Sequence, residues 1–255
     1  MDVKILVAAH KPYKMPSDKQ LYLPIYVGKD LHSGNEIDGY IGDNTGDNIS
    51  SKNGSFNELT AIYWAWKNLK ADAIGLDHYR RYMSMTKKKD INTTLNRSQI
   101  DELFKNHDII LPKKRNYYIQ SNYNHYIHAH HKEPLDMAAK IIQEKYPEYL
   151  GSFEKIMKKK SAHMFNMFLM KRAKFDEYCD WMFDILFELE NKTDVTSYSK
   201  YEQRVYGFVS ELLLDVWLDK NKFSYYEVNF VHMESQHWIK KGISFLTRIL
   251  KKPEN

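Results

Sequence analysis

The chain has 255 residues, 43% of them hydrophobic and 28% charged, with one cysteine and 19 tyrosines. That length makes one large domain, or one with a small appendage, and supplies a full core without a metal or disulfide staple. Its 38 basic and 33 acidic residues leave a net charge of only +5, and no stretch approaches the roughly 18 apolar residues of a membrane span, so collagen-like, disordered, disulfide-rich and membrane-spanning classes are excluded. The lone Cys179 suits a reducing compartment. The apolar run at 5–9 is too short for a signal peptide, and the expected location is cytoplasmic.

In chain order, the apolar run at 4–9 stops at His10-Lys11-Pro12 and reads as a buried first strand. Residues 21–27 contain Pro24 and predict an edge strand or extended segment. A loop rich in Gly, Asn and Asp covers 42–50. Residues 57–69 then place Leu59, Ile62, Tyr63, Trp66 and Leu69 at helical spacing, with Asn57 or Ser55 as cap. A short buried strand at 73–76 runs into the charged loop 77–82. A helix over 98–106 and a strand over 108–112 come next, and 113–135 is basic, then rich in tyrosine and histidine. One or two helices interrupted at Pro147 fill 135–160. An apolar strand at 163–170, helices at 173–191 and 200–220, and a last strand at 225–231 complete the domain. Strands alternating with helices predict an α/β fold with a mixed, largely parallel central sheet flanked by helices. The domain runs over 1–237, and 238–255 is a basic amphipathic tail.

Open α/β sheets bind ligands beyond the carboxyl ends of their strands. The first strand delivers Ala9, His10 and Lys11 there, the strand at 73–76 delivers Asp77, His78, Arg80 and Arg81, and the segment at 163–170 carries His163 and Asn166. They converge only if these strands are neighbours with suitable directions. The guanidinium forks of Arg80 and Arg81 match a diphosphate. Asp77 suits a divalent cation, but a second aspartate two positions on is absent, where Tyr79 stands.

The loop at 42–50, with Asn44, Asp47 and Asn48, offers Asx turns and amides to a ribose or phosphate, yet has neither a Walker lysine nor GxGxxG spacing; alone it reads as a solvated loop. His125, His128, His130 and His131 admit three readings. They can be a metal site, a sugar-stacking surface shared with Tyr126, or an exposed polar segment. Glu211 shares a helical face with Arg204 and reads either as a general base of raised pKa or as half of a buried bridge. The lysine runs at 87–89 and 158–160 read as solvated faces. In the tail, Ile239, Ile243, Leu246 and Leu250 share a face ringed by Lys240, Lys241, Arg248, Lys251 and Lys252. That is the pattern of a helix lying in a membrane surface or, alternatively, of a terminal helix packed on its own domain. No helix-turn-helix, RRM or zinc-finger pattern accompanies the basic clusters, so no nucleic acid partner is expected.

Together, VAAHKPY, IGDNTGDNIS, ELTAIYWAWKN, IGLDHYRRY, IILPKKRNYY, HMFNMFLMKR, FDEYCDWMFDILFELE and QRVYGFVSELLLDVWL resemble a bacterial family of capsular and exopolysaccharide glycosyltransferases, long catalogued only as a domain of unknown function. The resemblance covers about residues 3–235. It implies a GT-A-like glycosyltransferase domain over 1–237. It also implies transfer of a hexose, galactose or galactofuranose, from a UDP-sugar to a lipid-linked oligosaccharide. The place implied is the inner face of the membrane, held peripherally with the tail on the membrane surface. By the same resemblance, Asp77, His78 and Glu211 are catalytic. Ala9, His10, Lys11, Asn44, Asp47, Asn48, Arg80, Arg81 and Asn166 bind the nucleotide sugar. His125, Tyr126, His128, His163 and Arg204 bind the acceptor, and Asp77 with His237 (or His232) holds Mn²⁺ or Mg²⁺. The missing second aspartate leaves a metal-independent site open, with Arg80 and Arg81 supplying the charge. A non-catalytic sugar-binding scaffold is the alternative function, and nucleic-acid binding a third.

Overall fold

β1 (Val3–Ala9) is apolar at every position but Lys4 because both of its faces are covered. Leu6 and Ala8 enter the larger core cluster, while Val3, Ile5 and Val7 enter a smaller one on the opposite side. The computed structural model describes residues 1–32 and 34–233; His237 and the tail at 238–255 lie outside the described residues. β2 (Tyr22–Tyr26) and β3 (Ile41–Gly42) continue the sheet in parallel beyond β1. β2 is therefore not the edge strand that Pro24 suggested. β3 covers it only at Ile25 and Tyr26, so the ladder begins just past the proline, which has no N–H to donate.

α1 (Asn53–Phe56) and α2 (Leu59–Asn68) are separated by Asn57, whose φ is 51°. Neither Asn57 nor Ser55 caps α2; Glu58 holds the position before it and makes no capping bond. β4 (Ala73–His78) pairs in parallel with β1 and turns sharply into β5 (Arg81–Ser84). α3 (Arg97–Phe104) opens with a capping box between Asn96 and Gln99. β6 (Ile109–Pro112), β7 (Arg115–Asn116), α4 (Asn122–Ile127), α5 (Glu133–Lys145) and α6 (Pro147–Lys158) follow. Pro147 opens α6, where a missing N–H costs no helical bond.

After β8 (Ser161–Ala162), the strand anticipated over 163–170 is confined to β9 (Phe168–Lys171). Phe165 and Asn166 have φ of 74° and 53°, and two successive left-handed residues cannot continue a strand. α7 (Arg172–Lys192) and α8 (Val205–Asn221) come next, then β10 (Tyr226–His232). α8 is apolar nearly all round and is correspondingly buried against α6 and α7.

The main sheet runs β3-β2-β1-β4-β5-β10-β6-β9, and β9 also pairs with β4, so β4, β9, β6, β10 and β5 form a closed circuit of pairings. Among the described residues it has four parallel and four antiparallel pairings, a mixed sheet where a largely parallel one was expected. The reversed strands are β5, which follows β4 through a tight turn, and β9, which is inserted between β4 and β6. A tight turn reverses the chain, and only a crossover preserves its direction. Helices α2 and α5–α8 cover one face, and α3 packs on the other with Tyr82 and Met83 of β5. β1, β2, β4, β6 and β10 all point one way, so their carboxyl ends share an edge. The amino ends of β5 and β9 arrive at that same edge.

Candidate active site

That shared edge meets the condition the sequence left open. His78 ends β4, Arg80 lies in the turn and Arg81 opens β5, and Phe165-Asn166 lead toward β9. Glu58 stands at the start of α2, where the helix N-terminus favours a carboxylate. Arg204, Ser210 and Glu211 come from the first turns of α8 and the residue before it.

Asn166 organises the floor of the cleft. Its Nδ2 donates to Glu58 Oε1 at 2.8 Å and to the Gly207 carbonyl at 3.2 Å, while its Oδ1 accepts from Ser210 Oγ at 2.9 Å. Buried and fully engaged, it positions Glu58 and leaves no amide group for the sugar contact expected of it. His78 Nε2 donates to the Phe165 carbonyl at 2.6 Å. Burial depresses the His78 pKa, and Arg81 and Arg80 add to the effect against Glu58. A neutral imidazole committed at Nε2 thus holds the left-handed loop at Phe165 and Asn166.

Arg81 lies over the Phe165 ring, 4.1 Å from its centroid. Burial, then the neighbouring Arg80, brings its pKa down to about 10, and its buried Nε has no hydrogen-bond partner among the described residues. A partly dehydrated guanidinium with an unsatisfied donor is suited to an anion. Glu211 is pushed up to about 8 by burial and then by Glu58, against the pull of Arg81, Arg115 and Arg204. Arg204 does not bridge to it: its Nε donates to Asn57 Oδ1 at 2.8 Å. That contact needs a glycine at 207, where a Cβ would stand 2.2 Å from Asn57 Nδ2.

Asp77 is the clearest correction. Alternation along β4 that turns His78 to the cleft turns Asp77 to the opposite core. There it is 0% exposed, and its two oxygens accept from the Met83 N–H at 3.2 and 3.3 Å. Burial raises its pKa well above the usual carboxylate range, so it does not fit a metal ligand or a diphosphate-stabilising group. Among the described residues no three His, Cys, Asp or Glu side chains are grouped to hold a metal ion.

His163 is likewise internal. Its Nδ1 lies 2.7 Å from Asp215 Oδ1 and its Nε2 3.1 Å from Glu227 Oε1. Burial opposes its charge, but the bonds to Asp215 and Glu227 prevail and raise its pKa. It ties the segment before β9 to α8 and β10, and does not face an acceptor. Tyr126 packs into the core.

Of the four histidines, His125 and His128 both contact Gln120, while His130 and His131 turn to other partners. His125 stacks on Tyr117 with centroids 3.8 Å apart, and His128 Nδ1 lies 2.7 Å from Gln120 Nε2. His130 faces Glu202 at 3.2 Å, while His131 stacks on Tyr198 at 3.9 Å. They share no metal site.

The loop at 42–50 is held by a residue the sequence reading passed over. Buried Asp43 accepts from Gly28 N at 2.8 Å, Lys29 N at 3.1 Å and the Ser50 hydroxyl. Asn44 Nδ2 donates to Asp30 Oδ1 at 3.0 Å and Asn48 Nδ2 to the Gly46 carbonyl at 3.0 Å. Asp47 N donates to Asn68 Oδ1 at 3.1 Å. Asn68 closes α2, about 15 Å along the helix from Glu58 at 1.5 Å per residue, so Asp47 lies away from the cleft.

Ala9 is buried in β1, whereas His10 and Lys11 are exposed beyond it. His10 stands edge-on to Tyr13 and Tyr79, which stack at 3.9 Å with Arg80 over Tyr79 at 5.4 Å. Glu58, Arg115 and this tyrosine pair escaped the sequence reading. Only the position of Glu58 at the mouth of a helix hinted at it.

A search among curated proteins finds no match. The chain is similar to a solved structure, the WbbM bifunctional glycosyltransferase in its apo form, with 32% identity and a TM-score of 0.84. The similarity covers 92% of this chain and 46% of that one, so this chain spans about half the length of the structure it matches. Residues 4–222 match the domain of unknown function DUF4422. With most of its length inside that match, the chain belongs to the DUF4422 family.

Proposed function

We propose that this chain is a glycosyltransferase of GT-A-like architecture. In this reading it moves a hexose, galactose or galactofuranose, from a UDP-sugar to a lipid-linked oligosaccharide in capsular or exopolysaccharide synthesis, at the inner face of the membrane. The observation that carries the reading is the pairing, at one edge of the sheet, of half-buried Arg81, whose Nε is buried with no hydrogen-bond partner among the described residues, and Glu211, whose pKa is about 8. One suits a leaving diphosphate and the other an incoming hydroxyl. The likeness to the WbbM glycosyltransferase supports the reaction class; the donor and the acceptor rest on the family resemblance of the sequence motifs.

In the reaction, the bond from the sugar C1 to the diphosphate oxygen breaks and its electron pair leaves with UDP. The acceptor hydroxyl oxygen bonds to C1, and its proton passes to the Glu211 carboxylate. A base whose pKa lies near the working pH combines availability with driving force. Arg81 and Arg80 offset the charge that grows on the diphosphate, in a cleft where such stabilisation is stronger than in water. Burial raises the Glu211 pKa, and Glu58, held by Asn166, adds to it. Asp77 does not fit a metal site, and no step here runs through a metal.

The test is UDP release from UDP-galactose and UDP-galactofuranose, with thermal shifts by UDP, GDP, CDP and dTDP with and without Mn²⁺. Stabilisation by UDP and turnover that falls steeply in Arg81→Ala are expected. Stabilisation by GDP alone would overturn the donor, and binding without any turnover would favour a sugar-binding scaffold.

A further inference from the structure

Two basic runs far apart in sequence, 113–115 and 158–160, are brought together by one short ladder. β7 pairs antiparallel with β8, Arg115 opposite Ala162 and Asn116 opposite Ser161. Tyr117 N to the Lys160 carbonyl at 2.8 Å and Asn122 N to the Lys159 carbonyl at 2.7 Å extend the contact. Between Tyr117 and Asn122 the chain forms a tip whose Tyr118 and Ile119 are 78% and 73% exposed. The other exposed large hydrophobic residues among those described reach 52% at most.

The tip is built rather than frayed. Tyr118 adopts a φ of 58°, its N–H donates to Asn116 Oδ1 at 2.7 Å, and Ile119 N donates to the Tyr117 carbonyl at 2.6 Å. Tyr117 beneath it is buried and stacked on His125, so the base is anchored while the next two side chains meet solvent.

Lys113, Arg115, Lys158 and Lys160 are exposed around this tip, and the segments 113–122 and 155–162 contain no acidic residue. Lys114 and Lys159 turn instead to Asp215 at 3.4 Å and Asp219 at 3.7 Å. An adjacent aromatic and aliphatic pair, flanked along the chain and across the β7–β8 ladder by exposed cations, with Glu154 the first carboxylate beyond them, matches the two chemistries of an anionic bilayer. The interface takes the apolar side chains and the lipid phosphates take the ammonium and guanidinium groups.

We propose that the tip at 118–119, with its basic collar, is a membrane-docking element for an anionic lipid surface. Arg115 and Tyr117, immediately before the tip, lie within electrostatic reach of Glu211, so docking sets the cleft beside the bilayer. The value of that placement for a lipid-linked acceptor rests on the transferase reading; the docking itself does not. The run at 158–160, read from sequence as a solvated face, acquires a role only through its pairing with β7.

The test is co-sedimentation of the full chain with phosphatidylcholine vesicles, with and without phosphatidylglycerol, at low and high salt. Salt-sensitive binding to the anionic vesicles alone is expected. Tyr118→Ser with Ile119→Ser should weaken it about tenfold, and Lys158→Glu with Lys160→Glu by about fivefold or more per cation. Three outcomes would overturn the proposal. They are unchanged binding in both double variants, equal binding to neutral vesicles, and a wild-type dimer that the tip substitutions dissociate. Vesicle partition needs no sugar nucleotide, so a failure to release UDP would sink the transferase reading and leave the docking result standing.

Discussion

Asn166 Nδ2 donates to Glu58 Oε1 at 2.8 Å, joining two residues 108 positions apart across the cleft. The bond sets a carboxylate from the start of α2 beside Glu211 of α8, and Glu58 helps to raise the Glu211 pKa. Asn166 holds this position in a left-handed conformation that few residue types adopt without cost. Asn166→Ala removes three hydrogen bonds and the tolerance for that backbone. A loss of about 2–4 kcal/mol in chemical denaturation is expected, with a fall in the apparent pKa that governs activity.

Glu211 must be ionised to accept a proton. On the transferase reading, kcat/KM rises with pH and levels off above about 8. Glu211→Gln should lower kcat/KM by about 100- to 10,000-fold and abolish that rise. A pH–rate profile of both proteins is the check; a wild-type rise that survives in the variant would remove Glu211 from the role.

Arg81→Ala should reduce kcat by about 100- to 1,000-fold, the scale of losing one preorganised charge partner. Arg81→Lys restores a cation without the planar fork, and only partial rescue is expected. Nucleotide binding followed by calorimetry should weaken in the same order, Ala more than Lys.

Asp77→Asn keeps an oxygen that can accept from the Met83 N–H. Because burial already favours the neutral form of Asp77, thermal stability should change little and activity should persist. A metal ligand at this place would give the opposite result, loss of turnover with unchanged folding.

His163 supplies a pH dependence of stability. Its folded pKa is raised, so its contribution is complete below the unfolded value of about 6.5 and fades as pH rises through the folded value. Asp215 and Glu227 are lowered: burial resists in Asp215, but the bond to His163 prevails, and in Glu227 that bond leads. Their contributions hold above about pH 4 and fade as pH falls through their folded values. His163→Gln leaves Asp215 buried with its main partner gone. A cost of about 3–5 kcal/mol near pH 6 is expected, shrinking toward alkaline pH in denaturation curves.

Local patterns carried much of the chain's architecture. The apolar run of β1, the periodic stretches that became α2 and α7, the long apolar stretch that became α8 and the break at Pro147 were legible because burial of an element imprints its pattern on the sequence. The halved strand at 168–171 was not, since nothing in Phe165-Asn166 announces two left-handed residues. The reversed strands that make the sheet mixed were equally hidden. The same holds for the site: Arg80, Arg81 and Glu211 were found because charge beside an apolar run is conspicuous. Asp77 and His163 looked just as conspicuous and proved to be internal ties. A residue's type is local, whereas its partner is not.

The opening composition described a mildly basic, tyrosine-rich chain, and the motifs along it determined the α/β class and the family. Which face of β4 meets the cleft, which carboxylate stands beside Glu211 and which lysine runs become neighbours were decided only by the tertiary structure. Each depends on strand direction and on the partner across a ladder. Those are set by the lowest free energy of the whole chain, to which residues such as Arg115 and Lys160, Glu58 and Asn166 contribute from far apart in sequence.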